Sequence, residues 1–100
     1  MEHRIVLGVF EWDLQKGVAN QRKHGVDFET AARVFLDAKR IIIHDEKHSD
    51  KEARYFCLGK VGDTVLTVRF VRVRGRIRII GAGNWRKERK FYEEKNKRSR

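Results

Sequence analysis

The sequence predicts an α+β domain in which two N-terminal helices precede a four-stranded antiparallel meander sheet and a C-terminal helix closes the chain. Three observations carry that expectation. Phe28, Ala31, Ala32 and Phe35 fall at i, i+3, i+4 and i+7, apolar and polar residues alternate with period two in the arginine-rich stretch up to Ile80, and a charged, helix-forming stretch follows Asn84. Helices grouped ahead of strands, rather than alternating with them, point to helices that cover one face of a single sheet. One hundred residues with 40% hydrophobic content suit one domain, residues 1–100, and the absence of proline, repeats and Gly/Ser-rich stretches argues against an internal linker.

Taken in order, Ile5 to Trp12 is apolar and β-branched at its start, which suits a short strand or an extended entry segment. Asp13 can cap a helix from Leu14 to about His24, and Gly25 can end it by taking the left-handed conformation that a side chain disfavours. Asp27 caps the next helix, which stops near Leu36 or Asp37. Ile41 to His44 reads as a strand and Asp45 to Asp50 as a polar loop. Strands are expected at Arg54 to Val61, Thr64 to Val73 and Ile77 to Ile80, with Gly62-Asp63 as the first hairpin turn. Gly81-Ala82-Gly83 should break the last strand, Asn84 should cap, and Trp85 to about Lys97 should form the final helix.

From Val71 onward apolar residues take the odd positions, while Arg72, Arg74, Arg76 and Arg78 take the even ones. A loop of three or five residues centred on Gly75 would set Val73 against Ile77, Val71 against Ile79, and Arg72 opposite Arg78 on an open face. Like charges so placed need a counter-charge. Guanidinium forks match phosphate oxygens, so a polyanion such as nucleic acid accounts for the stripe, with a solvated hairpin face as the alternative.

Charge is divided unevenly. Residues 1–50 carry eight Lys and Arg against nine Asp and Glu, net −1, whereas residues 51–100 carry sixteen against five, net +11. Such asymmetry suits a surface for nucleic acid or for an acidic protein. A membrane partner fits worst, because the basic stretch from Asn84 to Lys97 offers only Trp85, Phe91 and Tyr92 as apolar contacts. No apolar run is long enough for a span or a signal peptide. The single cysteine, Cys57, reads as a small buried residue, and without an intrachain partner it suits a reducing cytoplasm.

Four constellations could carry chemistry. His44 and His48 stand four apart, yet aspartate follows the first histidine and a strand precedes it, so no zinc helix and no metal or other cofactor is expected. Glu52 and Arg54 are two apart at the mouth of a strand. Metal-free RNA cleavage needs a base for the 2′-hydroxyl, cations for the crowded phosphate and an acid for the departing oxygen; Glu52 could be the base and Arg54 with Arg78 the phosphate clamps. An ordinary cross-strand ion pair is the alternative. Lys23 and His24 suit the negative end of a helix dipole and could also meet RNA, with His24 a candidate proton donor. Trp85 among Arg86, Lys87, Arg89 and Lys90 could stack on bases, but Trp85 and Tyr92, seven apart, are rather expected to pack on the sheet and leave the cations exposed.

Phe10-Glu11-Trp12-Asp13, Lys16, Asn20, Lys23-His24-Gly25-Val26, Phe28, Ala31, Val34-Phe35 and Asp37, followed by His48-Ser49-Asp50, Glu52, Arg54-Tyr55, Gly59, Arg76-Ile77-Arg78-Ile79-Ile80, Glu88 and Tyr92, form a long pattern. It resembles the BrnT family, the toxin half of a bacterial type II toxin–antitoxin pair, whose fold is similar to that of the RelE and ParE toxins. The resemblance implies a ribonuclease that inhibits translation, acts on single-stranded or ribosome-associated RNA, and is neutralised by a ribbon-helix-helix antitoxin. DNA would be reached only through that antitoxin. One departure stands out: Ile79-Ile80-Gly81-Ala82-Gly83 replaces the family's common Ile-Ile-Ser-Ala-Arg, so the usual serine and arginine are missing. Two readings from another class therefore stay open, a catalytically degenerate module that binds nucleic acid or antitoxin, and a structural partner of an acidic protein.

Overall fold

A computed structural model describes residues 3–97. The sheet corrects the expected four-stranded antiparallel meander: it has six strands, is mixed, and runs in the order β1-β2-β6-β5-β4-β3. Its strands are β1 (Arg4–Leu7), β2 (Phe10–Asp13), β3 (Ile41–His44), β4 (Arg54–Val61), β5 (Thr64–Val73) and β6 (Arg76–Gly83). The helices are α1 (Leu14–His24), α2 (Phe28–Ala32) and α3 (Arg86–Lys97), with 3₁₀ turns at Arg33–Leu36 and Glu46–His48. None of these helices is long and apolar enough to cross a membrane.

The two additional strands come from the apolar entry segment. Gly8, with φ 61°, folds it into a hairpin in which Leu7 pairs with Phe10. β2 then lies parallel to β6 over Phe10–Ile77 and Glu11–Arg78. Asp13 ends β2 and caps α1, accepting the Lys16 backbone N–H at 3.0 Å. α1 consequently starts beside β6 and runs along the part of its edge that β2 leaves bare. Asn20 closes that edge as a further strand would. Its amide donates to the Ala82 carbonyl at 2.9 Å and to the Val26 carbonyl at 2.8 Å, while its oxygen accepts from the Ala82 N–H at 3.1 Å.

Asp27 caps α2 through the Thr30 N–H at 2.7 Å. The helix lasts only five residues before tightening into the 3₁₀ turn, which brings Val34 hard against β4. At Gly59 a Cβ would lie 2.7 Å from the Val34 carbonyl oxygen and 2.9 Å from its Cβ, so only glycine admits that approach. Trp12, Phe28, Ala31 and Val34 on this side pack with Cys57, Val68, Phe70 and Ile79 from the sheet into the main core. Burial pushes the Cys57 thiol up to about 12, in keeping with a core residue rather than a nucleophile. α3 covers part of the opposite face, where Tyr92 joins Leu58, Val65, Ile41, Ile43 and Phe56 in a second cluster. Asp37 ties that helix down, accepting from the Tyr92 hydroxyl and from the Lys60 N–H, the latter at 2.7 Å.

Three further expectations are corrected. The loop between β5 and β6 holds two residues, Arg74 and Gly75, both at positive φ, the paired left-handed turn whose twist suits a hairpin. Val71 therefore faces Arg78 and Arg72 faces Ile77, which puts Arg72 and Arg78 on opposite sides of the sheet. An irregularity at Arg69/Phe70 leaves Ile80 without an opposite number and restores the phase farther down. Gly81-Ala82-Gly83 does not break β6, because Arg69, Val68 and Thr67 pair with those residues in turn. Trp85, not Asn84, occupies the cap position of α3, since its carbonyl accepts the first helical bond, from the Arg89 N–H at 3.0 Å.

Gly59→Ala is expected to destabilise the fold by about 1–3 kcal/mol through overpacking. Asn20→Ala is expected to cost about 1–3 kcal/mol for each buried group it leaves unpaired. Urea unfolding of each variant against the parent measures both.

Candidate functional site

Because α3 reaches only the β3–β5 side of its face, the remaining part of that face stays open and carries arginine. Arg54 on β4 and Arg78 on β6 flank Val71, which is fully buried between them. Two strand spacings put their backbones roughly 10 Å apart. Arg69 stands on the same face farther along β5, and Arg76 and Arg4 stand beyond Arg78.

The counter-charge for this cluster is internal. Glu11, only 8% exposed, takes Arg78 Nε at 2.8 Å on one oxygen and Arg76 Nε at 3.1 Å on the other, with Arg4 at 3.7 Å. Burial alone would raise the Glu11 carboxyl. The Arg78 hydrogen bond and charge, with the charges of Arg4 and Arg76, outweigh it and hold the group below the usual glutamate range. Arg76 is spent structurally, donating its Nη2 to the Gly8 carbonyl at 2.8 Å. Arg78 engages Glu11 through Nε alone, so its terminal nitrogens have no partner among the described residues.

A cleft of about 360 Å³ opens beside Arg54, lined by Lys47, His48, Asp50, Lys51 and Glu52 as well as Arg54. Glu52 lies outside β4, in the exposed bend before it, and makes no ion pair among the described residues. His48 is anchored: its Nδ1 donates to Asp45 Oδ2 at 2.9 Å, which leaves Nε2 as the unengaged nitrogen. Burial would raise the Asp45 carboxyl, but the His48 hydrogen bond and charge, with backbone N–H groups, keep it below its ordinary value. Ser49 braces the same loop, accepting the Arg54 N–H at 3.0 Å while its hydroxyl donates to the Asp45 carbonyl. His44, at the end of β3, contacts Ser49 Oγ through Nε2 at 3.2 Å, so the two imidazoles are engaged separately.

The other expected residues divide among different surfaces. Arg72 lies over the Tyr55 ring at 5.4 Å on the far side of the sheet, and Arg74 forms the exposed hairpin turn. Lys23 and His24 end α1 and line a cleft of about 290 Å³ with Lys16, Arg69 and Trp85. On α3, Lys87 and Lys90 border an apolar groove beside Ile43 and Leu58, Arg86 is exposed and Arg89 is half-buried. Tyr92 is buried, but Trp85 is 39% exposed.

Glu11, Asp45 and His48 are members of these clusters that sequence reasoning did not select. A glutamate inside an apolar strand-forming run was the available sign for Glu11; its arginine partners depend on the β2–β6 pairing, which local pattern does not contain. Asp45 and His48 had the i, i+3 spacing of a turn pair but read as solvated loop.

The chain is thus an α+β protein whose half-open sheet face concentrates arginine beside a cleft lined by His48, Glu52 and Arg54. The chain belongs to the BrnT family: the family model described as ribonuclease toxin, BrnT, of type II toxin–antitoxin system matches residues 12–88. No curated protein matches the sequence. Membership makes the chain a toxin of a type II module, and the family's description implies an RNA substrate and an antitoxin partner.

The carboxyls of Glu11, Asp37 and Asp45 all lose their protons below their ordinary range in the folded state. Protons therefore bind the unfolded chain in preference, and the stability these groups contribute is complete above their unfolded values and lost as pH falls through the folded ones. Stability is expected to decline below about pH 4.5, the ordinary glutamate value. Glu11→Gln should flatten that decline and lower stability at pH 7 by roughly 1–3 kcal/mol, an amount moderated by the partial exposure of its arginines. Thermal unfolding from pH 7 to pH 3 measures both effects.

Proposed function

We propose that this chain is a metal-independent endoribonuclease whose strand of RNA lies across the open sheet face, with the scissile phosphate at the Arg54 end. The observation that carries the reading is the placement of Glu52, His48 and Arg54 around one cleft beside the arginine cluster. Glu52 takes the proton of the 2′-hydroxyl; the O2′ attacks phosphorus, and the bond to the 5′ oxygen breaks. His48, held by Asp45 through Nδ1, delivers a proton from Nε2 to that leaving oxygen. The products are a 2′,3′-cyclic phosphate and a free 5′-hydroxyl. Arg54 and the terminal nitrogens of Arg78 carry the charge that develops on the phosphoryl oxygens. Side chains thus supply every group that the transfer requires. Arg69 extends the phosphate track, while Arg72, on the far side, and Arg74, in the turn, would meet RNA only where a strand wraps the hairpin.

In the cell this reading makes the chain an inhibitor of translation that works in the cytoplasm on free or ribosome-associated RNA. A ribbon-helix-helix antitoxin would silence it by covering the arginine face and would carry the complex to DNA. One observation favours a second, binding-only reading: Gly81 and Gly83 put no side chain near the track, and Arg78 is partly neutralised by Glu11.

Cleavage of single-stranded RNA in chelator-containing buffer separates the two. Glu52→Gln and His48→Ala are each expected to lower the rate about 10²–10⁴-fold, the usual worth of a positioned acid or base, and Arg54→Ala to lower it comparably. All three should relieve growth arrest when the chain is expressed without antitoxin. Salt-sensitive RNA binding with no cyclic-phosphate product would establish the binding module instead.

A further inference from the structure

Where α1 ends against β6, the chain builds a second cleft, separate from the one that holds Glu52. Lys16 and Lys23 come from α1, about two turns apart, and Arg69 comes from the open face of β5. None of the three forms an ion pair among the described residues. Between them stands Trp85, 39% exposed, whereas the other tryptophan, Trp12, is 4% exposed in the core. The six-membered ring of Trp85 rests directly on Gly83: a Cβ there would lie 2.7 Å from its Cζ2 and Cζ3 and clash with Cη2. The edge-on imidazole of His24 fixes the indole from the side, with centroids 5.1 Å apart at 67°. A large aromatic surface is thereby held rigid, kept partly bare and ringed by cations. Burial would have been the ordinary arrangement for such a residue, and here glycine and histidine prop it at the surface instead.

We propose that this cleft is a stacking subsite for one unpaired base of the RNA, with Trp85 as the platform and Lys16, Lys23 and Arg69 holding the flanking phosphates. The subsite rests on the RNA-substrate reading and deepens it, since Arg69 lies on both the open face and the cleft. Stacking tolerates every base while requiring that it be unpaired, because a base inside a duplex offers no free face. The subsite accordingly selects single strands over duplexes, and its volume of about 290 Å³ suits one base rather than several. Gly83 belongs to the same device, since any side chain at that position would displace the ring.

The test is tryptophan fluorescence of the whole chain titrated with a 2′-O-methyl single-stranded oligonucleotide, which cannot be cleaved, and with inorganic polyphosphate, which has charge but no bases. Quenching by the oligonucleotide and not by polyphosphate is expected, and the quench should vanish in Trp85→Leu. Oligonucleotide affinity should fall about 5- to 150-fold in Trp85→Leu, the range that one stacked base is worth, and should be largely kept in Trp85→Phe. Gly83→Ala, which leaves the indole in place chemically but pushes it off its seat, should weaken binding in the same direction. Unchanged affinity in Trp85→Leu, or equal quenching by polyphosphate, would overturn the subsite while RNA cleavage by that variant upheld the ribonuclease reading. Failure of the parent chain to bind any oligonucleotide would overturn both.

Discussion

The parallel contact between β2 and β6 covers only Phe10–Ile77 and Glu11–Arg78, yet it governs both faces of the molecule. On one side of the sheet it sets Phe10 beside Ile77 within the core that α1 and α2 cover. On the other it drives Glu11 into a cluster of three guanidiniums. Beyond β2 the edge of β6 would be bare, a row of unpaired backbone groups. Asn20 meets it from α1 with the donor and acceptor a neighbouring strand would have offered, so the helix substitutes for a longer β2 and the sheet can end there without a penalty.

Several elements could be read locally. β3, β4 and β5 have the expected bounds because their alternation and turn residues lie within each strand or at its ends, and α1 was defined by Asp13 and Gly25. What local pattern missed was pairing between distant segments. Ile5 to Trp12 reads as one short strand or extended segment, and Gly8 bends it into a hairpin whose second strand pairs with β6. The Gly81-Ala82-Gly83 stretch looked like a terminator, but its neighbours on β5 keep it extended, and Trp85 and Arg69 fill the space its missing side chains leave. Arg72 and Arg78 shared a parity in the sequence. A two-residue turn placed them on opposite faces, because the phase of a hairpin is set by its loop and not by which side chains would prefer company.

The candidate site was legible in its parts and not in its assembly. Glu52 and Arg54 do line one cleft, though Glu52 reaches it from a bend instead of a strand. His48 reads as part of a solvated loop, since nothing in the order of residues says that Asp45 is buried and orients the ring. In the sequence the arginine stripe reads as a demand for an external anion, whereas the fold answers part of that demand itself through Glu11.

That internal carboxylate bears on how a protein carrying a net charge of +10 can keep its arginines ready. Three like charges on neighbouring positions repel and would splay in solvent. Glu11 holds Arg4, Arg76 and Arg78 together, and at Arg78 it does so through Nε, leaving the two terminal nitrogens without a hydrogen bond among the described residues. A side chain already ordered in this way loses less entropy when phosphate arrives than a free one does. The carboxylate also weakens the local field, which lessens indiscriminate attraction to any polyanion and leaves selection to groups that need close fit. Under the proposed reading Trp85 in its cleft and Arg54 beside Glu52 are such groups, and Arg54 forms no ion pair among the described residues.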